Sequence, residues 1–398
     1  MGTAKRSQHD VAVVGARAGG GALAMLLARM GHDVVVLDRA LLPSDTLSTH
    51  SINRGGVVQL HRWGLLDEVL ASGAPAIRQI TFHTPDGSLT RKVKDRAGVD
   101  VVVAPRRHAL DTIVARAAAD AGASLRLGAT VTGLRRDAMG RVTGLSARGP
   151  DGEAVEVDAK VVIGADGLRS HVARSVGAPL VDSRPAHSAT YYAYYGGASW
   201  SGNEFFVAER ALAGVFPTNG GEACIWMSVP AEDALGARRD AGSVTAGFEQ
   251  MLERIAPALA ARLRTARRTS PVRGAVRLPN QVRQAFGPGW ALVGDALYHR
   301  DPITGHGISD AYRDAELLAT ALDAALQGDR AFPAALGDYR HQADEARREI
   351  FDITCALADF PPVDRFVELQ RQLSAAIEVE ATALAARPVT QPRRLAVA

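Results

Sequence analysis

The sequence is short of several things. It has two cysteines in 398 residues, Cys224 and Cys355, so it holds no disulfide framework and no cysteine spacing for a metal. Aromatic residues are 5% of the chain. Lysine is confined to Lys5, Lys92, Lys94 and Lys160, and arginine carries nearly all the positive charge. Neither sign of charge dominates: the net charge is +3, too small to indicate a nucleic-acid partner. No apolar run approaches the roughly 18 residues of a membrane span. The N-terminal stretch lacks the apolar core of a signal peptide, so a cytoplasmic location is expected. What remains, 47% hydrophobic and 22% charged residues, describes a globular chain with a large core and more than one domain.

A βαβ unit opens the sequence. Val11–Val14 is a short buried strand, Gly15–Gly21 a glycine-rich turn, and Ala22–Met30 an apolar helix stopped by Gly31. Val34–Leu37 is a second buried strand, ending at Asp38. A polar stretch over 39–55 precedes a helical pattern around Val57–Ala71. Strands are expected over 77–104, a helix over 107–121, and strands near 124–134, 141–148 and 153–163. Residues 187–230 are rich in β-formers, with turns at Gly196-Gly197 and Asn219-Gly220-Gly221. A helix is expected over 243–265 and a strand over 271–278. A short strand at Trp290–Val293 leads to a helix from about Asp310, and 333–386 is mostly helical. No repeat of fixed period is present.

The turn Gly15-Ala16-Arg17-Ala18-Gly19-Gly20 nearly fits G-x-G-x-x-G. Gly15 makes the tight turn and Gly20 lets helix and strand pack closely; Arg17 stands where the second glycine normally lets the backbone approach a pyrophosphate. An arginine there works only if its side chain points away from the phosphates. The motif follows a strand, opens a helix, and has Asp38 placed to accept from ribose hydroxyls, which is the context it requires. Gly15, Ala16, Arg17, Gly20, Asp38 and Arg39 are therefore the first candidate cofactor-binding residues.

Two further stretches stand out. Val161–Gly164 is a buried strand running into Ala165-Asp166-Gly167, and Trp290–Val293 runs into Gly294-Asp295-Ala296, followed by Asp301-Pro302-Ile303-Thr304-Gly305-His306-Gly307-Ile308. In this order and spacing, the three stretches resemble the FAD-dependent aromatic hydroxylases, the single-component flavoprotein monooxygenases of the p-hydroxybenzoate hydroxylase type. The resemblance covers roughly residues 10–325.

The resemblance implies an α/β fold: a discontinuous, doubly wound Rossmann-like FAD domain with an inserted antiparallel sheet domain for substrate and a helical C-terminal tail. The expected boundaries are 1–75, 100–180 and 280–328 for the FAD domain, 76–99 and 181–279 for the sheet domain, and 329–398 for the tail. It also implies that Asp295 bonds the ribityl chain of FAD. Gly305, Gly307 and Ile308 then open a helix whose positive end faces the flavin. Arg107 would lie near the phosphates, and Asp166 would serve FAD and NAD(P)H. The implied reaction uses NAD(P)H and O2 to hydroxylate an aromatic or other electron-rich small molecule through a flavin C4a-hydroperoxide. The resemblance calls for no metal.

Related chemistries stay open. Flavin halogenases carry W-x-W-x-I-P; the nearest stretch here, Trp226-Met227-Ser228-Val229-Pro230, lacks the second tryptophan. Reductases of the geranylgeranyl-reductase type share the FAD motifs and are not separated by them. A non-catalytic FAD-binding protein is a further alternative. For substrate, the Tyr191-Tyr192-Ala193-Tyr194-Tyr195 strand puts Tyr192 and Tyr194 on one face and Tyr191 and Tyr195 on the other. Tyr192, Tyr194, Phe206 and Trp226 are the expected wall of a pocket for an aromatic or hydrophobic molecule, in a monomer or homodimer. Pro302 and the histidines His306 and His50 are the expected catalytic residues, since histidine titrates near neutrality when unperturbed.

Overall fold

The computed structural model describes residues 5–388. The first four residues and the Pro/Arg-containing end of the expected tail lie outside the described residues. Eleven helices are described: α1 (Ala18–Arg29), α2 (Arg54–Arg62), α3 (Leu66–Ala71), α4 (Arg107–Asp120), α5 (His171–Val176), α6 (Ala231–Asp240), α7 (Val244–Ile255), α8 (Pro257–Leu263), α9 (Gly307–Gln327), α10 (Phe332–Ala358) and α11 (Val363–Ala385). Among the described residues no helix is long and apolar enough to cross a membrane.

Sequence-distant segments build one mostly parallel sheet. Its order is Phe286–Gly287, Trp290–Leu292, Ala154–Gly164, Lys5–Val14, Val34–Asp38 and Ser124–Leu127. The strand Val142–Arg148 joins at Ala154–Gly164 and pairs in turn with Thr130–Arg136. The central strand Val11–Val14 lies between Val34–Leu37 and Val161–Gly164, parallel to both. These strands are continuous runs of Val, Ile, Leu and Ala because both faces are covered, as parallel sheets require. Helix α1 packs against α4 and α9. Three strand ends, at Val14, Gly164 and Leu292, thereby emerge side by side at one edge.

The second sheet runs Arg267–Arg268, Ser188–Gly196, Ala223–Pro230, Ala211–Pro217, Asn203–Ala208, Gln79–Thr84 and Gly87–Lys92. It is antiparallel except where Asn203–Ala208 and Gln79–Thr84 run parallel. That one parallel pair joins the early hairpin to the later meander. Tyr191, Tyr195, Phe206 and Met227 face α7 and α8, packing with Phe248, Leu252 and Leu259. Tyr192, Tyr194, Phe216 and Trp226 face the other way, packing with Leu357 of α10 and Phe366 and Leu369 of α11.

The C-terminal helices are thus part of the core and not an appendage. Helix α10 packs on α9, and α11 packs on α2 and α10. Within α10, Arg347 is largely buried, pairs with Asp344, and lies 5.5 Å from the Tyr298 ring centre. The charged run 344–349 thus packs inward at Arg347 and is exposed at Glu345, Arg348 and Glu349.

Candidate cofactor-binding cleft

A cleft of about 970 Å³ opens where the three strand ends meet. The first wall is the glycine turn. Gly15 has φ +109°, and a Cβ there would lie 2.4 Å from the Ala165 carbonyl oxygen. A Cβ on Gly20 would lie 1.9 Å from the Gly15 carbonyl oxygen. Both positions exclude side chains, because backbone cannot yield by that much. Arg17 is the N-cap of α1 and makes no capping bond with its side chain. The first N–H groups of α1 are left for whatever enters the cleft.

Arg17 turns its guanidinium along the wall. Its Nη1 donates to Asp111 Oδ2 at 2.7 Å and to the Ser44 carbonyl at 3.0 Å, and its Nη2 donates to Ser44 Oγ at 2.9 Å. Arg107 Nη2 donates to the other oxygen of Asp111 at 2.9 Å. Burial lowers the Arg107 guanidinium, but Asp111 more than compensates and raises it, so its charge is retained. Two cationic side chains thus line the cleft, held by a carboxylate with no solvent exposure. The i,i+4 spacing of Arg107 and Asp111 is a sequence signal for this pair.

Asp38 braces the next loop. Its Oδ2 accepts from the Ala16 N–H and its Oδ1 from the Ala40 N–H, each at 2.8 Å. Each oxygen keeps lone-pair capacity for a hydroxyl. Arg39 beside it is exposed and lines the cleft. Asp166 turns toward α5, where its Oδ2 accepts from the His171 and Val172 N–H groups at 2.6 and 3.2 Å. Its other oxygen is buried without a partner. Asp295 is exposed at the cleft wall.

The far wall is the start of α9. Gly305 has φ +59°, and a Cβ on either Gly305 or Gly307 would meet nothing within 4 Å. Their backbones therefore face open space. Helix α9 runs for 21 residues, and its N-cap His306 makes no side-chain cap bond. Its positive end is presented to the cleft. Ile308 and Pro302 line the same wall.

The histidines differ from the sequence expectation. His306 has a fully buried side chain; its Nε2 lies 2.8 Å from Glu380 Oε2 and its Nδ1 lies 2.7 Å from Asn53 Nδ2. Both ring nitrogens are engaged by protein. His50 adopts φ +47° and donates from Nδ1 to the Ala104 carbonyl at 3.0 Å. Its Nε2 is buried without a partner. Burial first, and then the charge of Arg106, push its pKa down to about 3. His50 is therefore neutral at pH 7 with an acceptor lone pair, and is no base near neutrality.

On the sheet side, Tyr192 lines the cleft and its hydroxyl accepts from the Ser48 N–H at 3.3 Å. Arg106 lies over the Tyr194 ring, 3.7 Å from its centre, and His50 stacks on the same ring at 5.5 Å. Trp226 lines a second, smaller cavity of about 50 Å³ with Phe205, Phe216 and Ile303 and the polar Asn203 and Thr304. Phe206 stands on the opposite face, stacked 4.3 Å from His83. The strand alternation that turns Phe205 inward turns Phe206 away, so Phe206 does not join Tyr192 and Trp226.

The pattern of the FAD binding domain family matches residues 8–354. The chain belongs to this family. FAD suits the cleft on its own observations: open glycine backbones, two uncapped helix starts, a cationic wall and an acceptor carboxylate at the end of the second strand. Among relatives of this FAD-binding chain is the digeranylgeranylglycerophospholipid reductase of Methanothrix thermoacetophila. It is 29% identical over 327 residues, covering 80% of this chain and 79% of that one. The menaquinone reductase of Mycobacterium tuberculosis is 28% identical over 373 residues, covering 85% and 82%. Among solved structures, PqsL, described as a probable FAD-dependent monooxygenase from Pseudomonas aeruginosa, superposes with a TM-score of 0.78 at 24% identity. It covers 92% of this chain and 100% of that one.

Proposed function

We propose that this flavoprotein is a monooxygenase that takes two electrons from NAD(P)H and inserts one atom of O2 into a small aromatic or otherwise electron-rich molecule, the second atom leaving as water. The observation that carries this reading is the aromatic wall beside the cleft: Tyr192 lines the cleft, and Phe205, Phe216 and Trp226 line a small cavity that adjoins it. Pro302, Thr49 and Ser51 line both the large cleft and the 50 Å³ cavity. Aromatic side chains favour stacked or edge contact with a ring, a contact that a polyprenyl chain does not need. The 29% relative acts, by its name, on such a chain, and its name favours a double-bond reductase as the second reading.

In this reading Asp38 and the turn at Gly15 would hold the adenosine ribose, and Arg107 and the start of α1 would hold the pyrophosphate, with the Arg17 side chain drawn along the wall beside it. Asp295 would bond the ribityl chain, and the Gly305–Ile308 segment would lie against the flavin. When bound, FAD supplies the hydride acceptor and the site of oxygen activation. The rest belongs to the chain. The Tyr192 hydroxyl, already accepting from Ser48, keeps its proton to donate to a substrate oxygen or nitrogen. His50 Nε2 accepts from a substrate O–H or N–H. The aromatic layer of Tyr194, Phe216 and Trp226, backed by α10 and α11, excludes water.

Labelled O2 tests the proposal. Purified protein is incubated with NADH or NADPH and a panel of phenols, anilines and quinolines, and the product is weighed. One labelled oxygen per product, with NAD(P)H consumed, is expected. A product that gains two hydrogens anaerobically and carries no label aerobically assigns the protein to the reductases.

A further inference from the structure

The family pattern ends at residue 354, yet a side chain beyond it reaches the wall of the cleft. Glu380 lies on α11. Its Oε2 meets His306 Nε2 at 2.8 Å, and its Oε1 accepts from Arg313 Nη1 at 2.7 Å. On the other side of His306, Asn53 Nδ2 donates to the Thr304 carbonyl at 3.3 Å and meets His306 Nδ1 at 2.7 Å. The bond to Thr304 sets the direction of the Asn53 amide, so Nδ1 accepts and Nε2–H donates to Glu380. The imidazole is held from both sides, with no solvent exposure. The two residues flanking it in sequence are Gly305 and Gly307, whose backbones face open space.

We propose that Glu380 is a positioning residue of the cofactor site, acting through His306 to fix the Gly305–Gly307 backbone against the flavin, and that α11 is thereby a working part of that site. The proposal rests on FAD lying along this loop, as above, and not on which reaction follows. A peg between two glycines explains the pattern. Glycines leave the backbone free to approach a ligand but do not hold it in place. The buried side chain between them supplies the missing restraint. Gly55, at the start of α2, supports the closeness of α11: a Cβ there would come within 3.2 Å of the Glu380 carboxylate.

The surrounding charges are accounted for. Arg313 has no solvent exposure and donates to Asp310, Asp314, Glu380 and the Tyr298 hydroxyl. Burial alone would raise the Glu380 carboxyl, but contact with His306 and Arg313 outweighs it and holds the group well below the ordinary carboxylate range. His306, Asp310 and Glu380 also place one donor atom each within 4.8 Å. Arg313 Nη1 already bonds both carboxylates, so a guanidinium fills the role a cation would have.

The test needs no substrate. Apoprotein of wild type, E380Q, H306N and the double variant is titrated with FAD, and the absorption spectrum and midpoint potential of the bound flavin are recorded. E380Q should weaken FAD binding about tenfold or more. It should also alter the flavin spectrum and raise the potential, because a negative charge behind the loop is removed. The double variant should bind no worse than H306N, since the effect passes through His306. E378Q, on the same helix but bonded to Arg54 and Arg96, should behave as wild type. Wild-type affinity and potential in E380Q, or additive losses in the double variant, overturn the proposal. If E380Q does not fold, N53S frees His306 from the opposite side and leaves the ion cluster intact. It should then weaken FAD binding and alter the spectrum, and wild-type values in N53S are equally fatal. Failure of the labelled-oxygen experiment does not touch these readouts, so the two proposals fall separately.

Discussion

Arg17 and Arg107 share one carboxylate: each donates to a different oxygen of Asp111, at 2.7 and 2.9 Å. Arg17 occupies the place where a glycine normally admits the pyrophosphate. The shared anchor draws its side chain along the cleft wall and leaves the start of α1 open. The departure from the glycine motif becomes a cationic wall in place of a blockage.

Asp111→Asn should therefore loosen both arginines together. Removing one member of a buried charge pair costs about 3–5 kcal/mol, and the partial exposure of Arg17 puts the loss at the low end, about 3 kcal/mol. FAD affinity should fall about tenfold. Denaturant unfolding of the apoprotein and flavin titration measure the two effects separately. Full FAD affinity in the variant would show that the anchored arginines do not shape the cofactor site.

Asp38 and Asp295 should separate in their effects, although both are expected to weaken FAD retention by about ten- to a hundredfold when changed to Ala. Asp38 also binds two backbone N–H groups, so Asp38→Ala should lower apoprotein stability by about 1–3 kcal/mol. Asp295 is exposed, so Asp295→Ala should stay within about 0.5 kcal/mol of wild type. Melting of both apoproteins, paired with FAD titration, checks this; equal stability losses would contradict the bracing role of Asp38.

Adjacent glycines should respond in opposite ways to alanine. A Cβ on Gly19 would make ordinary contact, 3.6 Å from the Ala311 Cβ, whereas one on Gly20 would sit 1.9 Å from a backbone oxygen. Gly19→Ala should fold and gain up to about 1 kcal/mol from helix propensity. Gly20→Ala should lose FAD and much of its stability. Yield, melting temperature and flavin content of the two variants decide it.

His50 gives a pH signature. Its folded pKa is about 3 against an ordinary 6.5, so between these values the unfolded chain binds more protons. Stability then rises with pH across the window and is lost as pH falls from 6.5 toward 3, by about 1.4 kcal/mol per unit. Asp314 acts in the opposite direction. Burial raises it from 3.8 to about 6, so its contribution is lost as pH rises through 6. Comparing wild type with His50→Asn isolates His50, because Asp314 is common to both and asparagine tolerates the left-handed backbone. The variant should lose less stability on acidification; parallel curves would place His50 in a polar, titrating environment.

Much of this molecule was legible along the chain. Buried strands read as unbroken apolar runs, Gly15 and Gly20 marked a turn that only glycine fits, and Asp38, Asp295 and Gly305–Gly307 fell at strand ends and a helix start. These signals are local: each depends on a few neighbouring residues and on the period of one element. The tyrosine alternation likewise put Tyr192 and Tyr194 on one face before any fold was known.

What the tertiary structure decided was long-range. Which face of the second sheet meets the cleft depends on where α7, α8, α10 and α11 pack, and that packing put Phe206 on the far face and kept Trp226 on the near one. The low pKa of His50 follows from burial beside Arg106, which sequence distance hides. Asp111 became the anchor of two arginines, and Glu380 the partner of His306, only when helices distant in sequence closed on one another. Local sequence sets which backbone can form; side-chain partners and desolvation are set by packing between segments far apart in the chain, and they exist only in the folded protein.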